Sequence, residues 1–164
     1  MASRAQVLIP IAIAAVIIGV VGVLTIPADS KLADTKFSKG VVKIGDITLD
    51  VQVAQTDSQR ERGLMFQNEL PYNQGMIFVF SDEQIVPMWM PNMQFALDMI
   101  WFDSSGNIVH IEKNVPPCKS PLETASCKVV DGGGKKARYV LEVTSGFVDK
   151  FNITENSKLQ IISI

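Results

Sequence analysis

The sequence has few of the residues on which most catalytic and metal sites are built. It contains one histidine and two cysteines in 164 residues, so a zinc site of the usual Cys and His type cannot be completed. Gly132–Gly134 lacks the Lys, Ser or Thr and following helix that a phosphate-binding loop needs. No serine lies in the Gly-x-Ser-x-Gly pattern of a nucleophile elbow. The net charge of −2 argues against a nucleic acid partner, because phosphate binding needs a basic surface.

Basic residues are also missing from the middle of the chain. No Lys or Arg occurs from Gly63 to Glu112, although acidic residues fall throughout that stretch. One interpretation is chance combined with a buried middle section. The other is an acidic face that attracts cations or a basic partner.

One long apolar run is present at the N-terminus. Val7 to Ile26 carries no charge, and as a helix it would extend roughly 30 Å, which matches the hydrocarbon core of a bilayer. A cleaved signal peptide would need small residues before the cut, but cleavage after Ala28 or Ala33 leaves Ile26 or Lys31 at the −3 position. We therefore expect an uncleaved single-pass anchor over 1–27, a polar linker over 28–40 and a β-rich domain over 41–164.

Two features of the sequence predict opposite sides of the membrane for the domain. Lys31, Lys36 and Lys39 follow the apolar run, which on charge alone would keep the domain in the cytoplasm. Cys118 and Cys127 flank a loop rich in Pro and Ser, which suits a disulfide in an oxidising compartment. Two free thiols are the alternative. We expect a disulfide and an extracytoplasmic domain at the cell membrane.

The remaining pattern predicts a mainly β domain. Short apolar or alternating stretches are separated by closely spaced turns, which favours a small barrel- or sandwich-like fold. TDSQRERGLM predicts a short helix capped by Thr56 or Ser58 and ended by Gly63, and GFVDKF predicts one helical turn. The predicted strands are Val41–Ile44, Ile47–Val53, Met76–Phe80, Pro87–Met90, Leu97–Phe102, Ile108–Val115, Arg138–Val143 and Lys158–Ile162.

Four segments carry a resemblance to a known family. RERGLMF, GMIFVF, MWMPNMQFALDMIWFDSSGNIV and YVLEVTSGFVDKFNI resemble the prokaryotic domain of unknown function 192 family, in the family's order and over roughly 41–164. The resemblance implies a compact β-rich domain that is often exported or membrane-tethered. It implies no catalytic activity, because none is established for the family.

The central motif of the family, Phe-Trp-Met-Lys-Asn-Thr followed by an apolar-Pro-Leu-Asp run, is only partly kept. Pro91 takes the place of the Lys, so an anionic ligand that relatives bind through that cation would not be bound here in the same way. The matching residues are Trp89, Met90, Asn92, Leu97 and Asp98, and the other replacements are Met88, Met93 and Ala96.

Three residues of this region form a cluster of thioethers. Met88, Met90 and Met93 are soft ligands of the type that selects Cu(I), and a bend at Pro91 would bring Met93 towards the other two. The alternative is core packing, because Met fills irregular gaps beside aromatic residues.

The same region offers candidate ligand- or partner-binding residues. Trp89, Met90, Asn92 and Asp98 combine contact area, a donor and acceptor, and a fixed charge, as a binding groove requires. The alternative is that Asn92 and Asp98 accept hydrogen bonds from backbone donors in the Pro91–Ala96 turn.

The leading functional hypothesis is a non-catalytic accessory module that binds a partner protein or membrane complex. A copper-binding protein is the alternative. A hydrolase with Asp98, His110 or Glu142 as acid or base is less favoured, because no spacing supports it, and we expect no cofactor.

Overall fold

The computed structural model describes residues 35–118 and 127–164. The predicted apolar span at 7–26 and most of the predicted linker lie outside the described residues. Within the described part of the chain, no helix is long and apolar enough to cross a bilayer. Lys36–Ile164 forms one compact unit, whose first strand begins at Ser38 inside the stretch predicted as linker.

The described residues form seven strands and two short α-helices. The predicted mainly β character and both short helices are therefore confirmed. In chain order the elements are β1 (Ser38–Ile44), β2 (Ile47–Ala54), α1 (Asp57–Arg62), β3 (Gln74–Ile85), β4 (Leu97–Phe102), β5 (Ile108–Val115), a 3₁₀ turn (Gly132–Gly134), β6 (Lys136–Thr144), α2 (Phe147–Lys150) and β7 (Leu159–Ser163).

The strands form one sheet in the order β5-β4-β6-β3-β2-β1-β7. The pair β2 and β3 is parallel, whereas the other neighbours are antiparallel. Parallel neighbours need a crossover connection, and α1 lies in that crossover. The helix begins at a capping box in which the Thr56 hydroxyl accepts from Gln59 N–H and the Gln59 side chain accepts from Thr56 N–H.

The predicted barrel or sandwich is not formed, because the described strands make a single sheet that does not close. One isolated bridge, between Asn107 and Lys158, lies beside the two edge strands and does not continue as a strand pair. Next to it, Leu159 N–H donates to the Gly106 carbonyl over 2.8 Å. Gly106 has φ +79°, and a Cβ there would collide with the Leu159 carbonyl oxygen. The contact therefore needs glycine.

The predicted strand Pro87–Met90 is not part of the sheet. Met88 forms an isolated bridge with Val130, and Pro91 forms one with Cys118. Prolines at both ends supply no N–H to a ladder. This irregular segment therefore packs over the sheet instead of extending it.

The two faces of the sheet bury separate apolar clusters. Along β6, Val140 belongs to one cluster while Leu141 and Val143 belong to the other, as the alternation of side chains on a strand requires. One cluster contains every methionine of the described residues, each at most 7 % exposed. We call these residues the methionine cluster: Met65, Met76, Met88, Met90, Met93 and Met99.

The predicted disulfide between Cys118 and Cys127 is confirmed. Cys118 N–H donates to the Met90 carbonyl, and the Cys118 carbonyl accepts from Asn92 N–H, both over 2.9 Å. Three residues after Cys127, Val130 exchanges two hydrogen bonds with Met88, of 2.7 and 2.8 Å. The disulfide therefore joins the two backbone stretches that hold the Met88–Met93 segment in place.

Candidate ligand pocket

A pocket of about 230 Å³ lies beside α1, between β3 and the segment that contains Met88. Its apolar walls come from parts of the chain that are distant in sequence. Tertiary packing therefore builds it, and no local motif does. The apolar residues on its walls include Leu64, Met65, Phe78, Val86, Met88 and Met93.

The pocket also contains a buried carboxyl group. Glu142 lies on β6 in register with Met76 of β3 and Met99 of β4, and its side chain lines the pocket. It is 4 % exposed, and burial raises the pKa of this carboxyl to about 8. Within residues 35–118 and 127–164, the Glu142 carboxyl makes no hydrogen bond or ion pair. It is therefore largely uncharged at neutral pH and directed at a space without a protein partner.

Charged side chains of α1 line the same pocket. Arg60 donates to the Val79 carbonyl over 2.9 Å, pairs with Asp57 and lies 5.2 Å from the centroid of the Phe80 ring. These contacts fix Arg60 as part of the wall. The Arg62 guanidinium lies 4.8 Å from the centroid of the Phe66 ring.

Four exposed hydrophobic side chains lie at the pocket or next to residues that line it or bridge to its wall. Trp89 is 53 % exposed and Ile85 is 52 % exposed, and both line the pocket. Phe66 is 45 % exposed and stacks on Arg62. The bridge between Met88 and Val130 sets Val129, 54 % exposed, across from Trp89. We call Phe66, Ile85, Trp89 and Val129 the apolar rim. They are four of the six large hydrophobic side chains that are exposed in the described residues.

The backbone beside the rim adopts an uncommon conformation at two positions. Phe66 has φ +62° and Asn92 has φ +56°, and Phe66 N–H donates to the Asn92 carbonyl over 3.0 Å. A left-handed conformation is unfavourable for a bulky residue such as Phe. Strained backbone of this kind clusters at functional sites, which supports the pocket as a site.

The predicted binding residues are only partly brought together. Trp89 lines the pocket, as do Met88 and Met93 of the predicted copper cluster, whereas Met90 is buried in the core and does not line it. The backbone of Asn92 is hydrogen-bonded on both sides, to Cys118 and to Phe66. The thioether that sequence reasoning missed is Met65, which follows the helix end at Gly63 and carries no local signal of this role.

Asp98 lies on the other face of the sheet. Its two carboxylate oxygens accept from Asn114 N–H and Val148 N–H, each over 2.9 Å. Asn114 has φ +55°, so Asp98 holds an irregular strand end and α2 against the sheet. Asp98 is thus a backbone acceptor, but its donors lie in β5 and α2 and not in the Pro91–Ala96 turn for which that role is predicted.

The three residues of the hydrolase hypothesis do not share a cleft. Asp98 and Glu142 lie on opposite faces of the sheet, since Glu142 is in register with Met99, the next residue after Asp98. His110 lies on β5, where its ring is 5.5 Å from Trp101 and its Nε2 is 3.4 Å from Glu112. Neither Asp98 nor His110 lines the pocket.

Glu112 belongs to a separate surface network. Lys128 Nζ lies 3.0 Å from its carboxylate, and this hydrogen bond, together with His110, lowers the pKa of Glu112. The described residues contain no group of three or more His, Cys, Asp or Glu side chains that could hold a metal ion.

A second cleft of about 370 Å³ lies beside β1, β2 and β3. Its lining includes the polar side chains of Lys39, Asp50, Gln52 and Gln74. It has neither a buried carboxyl group nor an apolar rim. The first pocket is therefore the better candidate for a functional site.

A sequence model of the domain of unknown function 192 family, described as an uncharacterized ACR, matches residues 40–161. No curated protein matches the chain.

Two crystal structures share the fold. A putative transcription regulator from Sinorhizobium meliloti 1021 is 30% identical, with a TM-score of 0.68, and the match covers 78% of this chain and 97% of that one. A protein of unknown function from Novosphingobium aromaticivorans is 22% identical, with a TM-score of 0.66, and the match covers 77% of this chain and 88% of that one.

Proposed function

The chain belongs to the domain of unknown function 192 family, and from that premise we propose that it is a membrane-tethered, non-catalytic module that binds a partner protein. The observation that carries the proposal is the apolar rim at the pocket. Scattered exposed hydrophobic residues are ordinary, but several of them grouped at a concavity are typical of an interaction site.

The size of the pocket favours a protein partner over a large small-molecule ligand. Sites for drug-sized ligands usually enclose roughly 300–1,000 Å³, and this pocket encloses about 230 Å³. A space of that size accepts one anchoring side chain, and such anchors carry much of the energy of protein interfaces. An apolar anchor would enter the mouth of the pocket, above its interior, while the rim packs around it.

Acidic side chains at and near the pocket favour a partner with basic residues. Glu61 is exposed and lines the pocket, and Asp82 and Glu83 are exposed on β3. A partner surface with an apolar anchor and basic residues around it would complement this arrangement.

The proposed location rests on two further features. The uncharged run from Val7 to Ile26 has the length of a membrane anchor. The disulfide between Cys118 and Cys127 is typical of proteins in oxidising compartments. We therefore assign the domain to the extracytoplasmic side of the cell membrane, where the partner belongs to a membrane-associated complex.

The proposal is tested on the full chain, extracted from its own membranes in a mild detergent and analysed by native electrophoresis. The wild-type protein is expected to migrate in a complex much larger than its monomer. The double variant Ile85→Ser with Trp89→Ser is expected to migrate as the monomer, because it removes two rim side chains without changing the core.

The matched control is Ile162→Ser on β7, a residue that is 62% exposed and outside the rim. This variant is expected to keep the large complex. A wild-type protein that migrates as a solitary monomer would contradict the proposal. Equal loss of the complex in the rim variant and in the control would contradict it as well.

A further inference from the structure

We propose that the interior of the pocket holds one soft monovalent cation, Cu(I), bound by the thioethers of Met65, Met88 and Met93 and by the carboxylate of Glu142. The inference is independent of the partner proposed above, which concerns the rim. It revises the ligand set that the sequence suggests, because Met65 replaces Met90.

The first argument is the type of ligand. Cu(I) prefers soft thioether and thiolate sulfur over oxygen and imidazole. Met65, Met88 and Met93 line the same cavity and are each at most 7 % exposed. They come from two separate segments of the chain, so tertiary packing brings the three sulfur ligands to one place.

The second argument is charge. A cation buried among apolar side chains is unstable unless an opposite charge lies beside it. Glu142 is the buried acid of this pocket, and no described residue pairs with its carboxyl. A complex of one Cu(I), three neutral thioethers and one carboxylate is electrically neutral. The cation takes the place of the carboxyl proton, which leaves to solvent.

The size of the cavity is compatible with this site. Its volume of about 230 Å³ exceeds that of one ion, but methionine has three rotatable bonds and adapts to irregular spaces. The three side chains can therefore close around an ion without movement of the sheet. Backbone hydrogen bonds to Cys118 and Val130 hold the Met88–Met93 segment during that change.

The rest of the chain offers little competition for a soft metal. Its only two cysteines are joined in a disulfide, so no thiolate is present. The only histidine, His110, does not line the pocket. If the protein binds a soft ion, the binding can therefore be attributed to its methionines.

The experiment titrates the purified full chain with Ag(I), which is a redox-inert probe, and with Cu(I) against a competing chelator. We expect one ion per chain. Replacement of all three ligands by leucine (Met65→Leu, Met88→Leu, Met93→Leu) conserves side-chain volume and is expected to lower the affinity by at least roughly 100-fold, and Glu142→Gln by at least roughly 10-fold.

The matched control replaces the three other members of the methionine cluster (Met76→Leu, Met90→Leu, Met99→Leu), which are buried equally well but do not line the pocket. This variant is expected to bind with unchanged affinity. Equal affinity in the two triple variants would overturn the proposal, and so would the absence of binding to the wild-type protein.

A direct measurement does not depend on the folding of any variant. X-ray absorption at the copper edge of the wild-type complex is expected to show a first shell dominated by sulfur, with one lighter ligand. A shell of nitrogen and oxygen alone would overturn the assignment. The rim variant Ile85→Ser with Trp89→Ser is expected to retain one ion per chain, which separates this proposal from the partner-binding one.

Discussion

Glu142→Gln is expected to flatten the dependence of stability on pH between pH 5 and pH 9. In the wild-type protein the carboxyl has a pKa of about 8, whereas in the unfolded chain it titrates near its ordinary value of 4.5. Above pH 4.5 the unfolded state releases the proton that the folded state keeps, so stability falls as pH rises until the folded state also ionises near pH 8.

The expected size of this loss is about 4 kcal/mol from pH 5 to pH 9, at about 1.4 kcal/mol for each pH unit. Urea unfolding at pH 5, 7 and 9 measures this loss as the difference in the free energy of unfolding between the wild type and Glu142→Gln. Carboxyl groups with lowered pKa, such as Glu83 and Asp103, contribute stability that is lost only at lower pH.

The control is Glu112→Gln, whose carboxyl has a lowered pKa through Lys128 and His110. This variant is expected to keep the slope of the wild type over the same range. Parallel curves for wild type and Glu142→Gln would show that Glu142 ionises normally in the folded protein. The description of Glu142 as a buried, uncharged acid in the pocket would then be wrong.

Asp98→Ala is expected to lower the free energy of unfolding by about 3–6 kcal/mol. The carboxylate accepts one hydrogen bond from Asn114 N–H and one from Val148 N–H, and its removal leaves both donors without that partner. Hydrogen bonds to charged groups contribute roughly 1.5–3 kcal/mol each. Because total stabilities are commonly about 5–15 kcal/mol, this variant is expected to be close to unfolding at 37 °C.

Chemical unfolding at pH 7 measures the effect, and Asp149→Ala provides a comparison. Asp149 forms an exposed ion pair with Lys113, which is expected to contribute less than about 1 kcal/mol. Asp98→Asn should lie between wild type and Asp98→Ala, since one acceptor oxygen remains. If Asp98→Ala were as stable as Asp149→Ala, a structural role for Asp98 would be untenable.

Local features of the fold could be predicted from the sequence because neighbouring residues determine them. The first hairpin follows from the alternation in Ile47–Ala54 and from Gly45, which has φ +56° in the turn. Thr56 and Gly63 lie at the two ends of α1, where the sequence places a cap and a stop. The disulfide was likewise indicated by the loop that contains both cysteines.

The topology could not be predicted in the same way. The parallel pairing of β2 with β3 depends on the path of the chain through α1, and alternation of apolar residues carries no information about it. Pro87–Met90 has the apolar character of a strand, but Met88 and the following Pro91 form only isolated bridges, to Val130 and Cys118. Whether the sheet closes depends on its accumulated twist, to which every strand contributes.

The pocket was partly predictable. The Met88–Met93 segment and Trp89 were identified from their composition, and the structure places several of them at the pocket. The contribution of Met65 has no local signature. Glu142, within the apolar run YVLEV, was named from the sequence only as an acid or base of the less favoured hydrolase hypothesis. Its position in the pocket, however, arises from the register of β6 with β3 and β4.

The most direct test of the account is photo-crosslinking from the apolar rim in intact membranes. A photoreactive amino acid is placed at Trp89 in one sample and at Ile162 in the other, since both side chains are exposed but only Trp89 belongs to the rim. The account predicts one discrete crosslinked product from position 89, weakened by Ile85→Ser, and none from position 162. No product from position 89, or the same products from both positions, would contradict it.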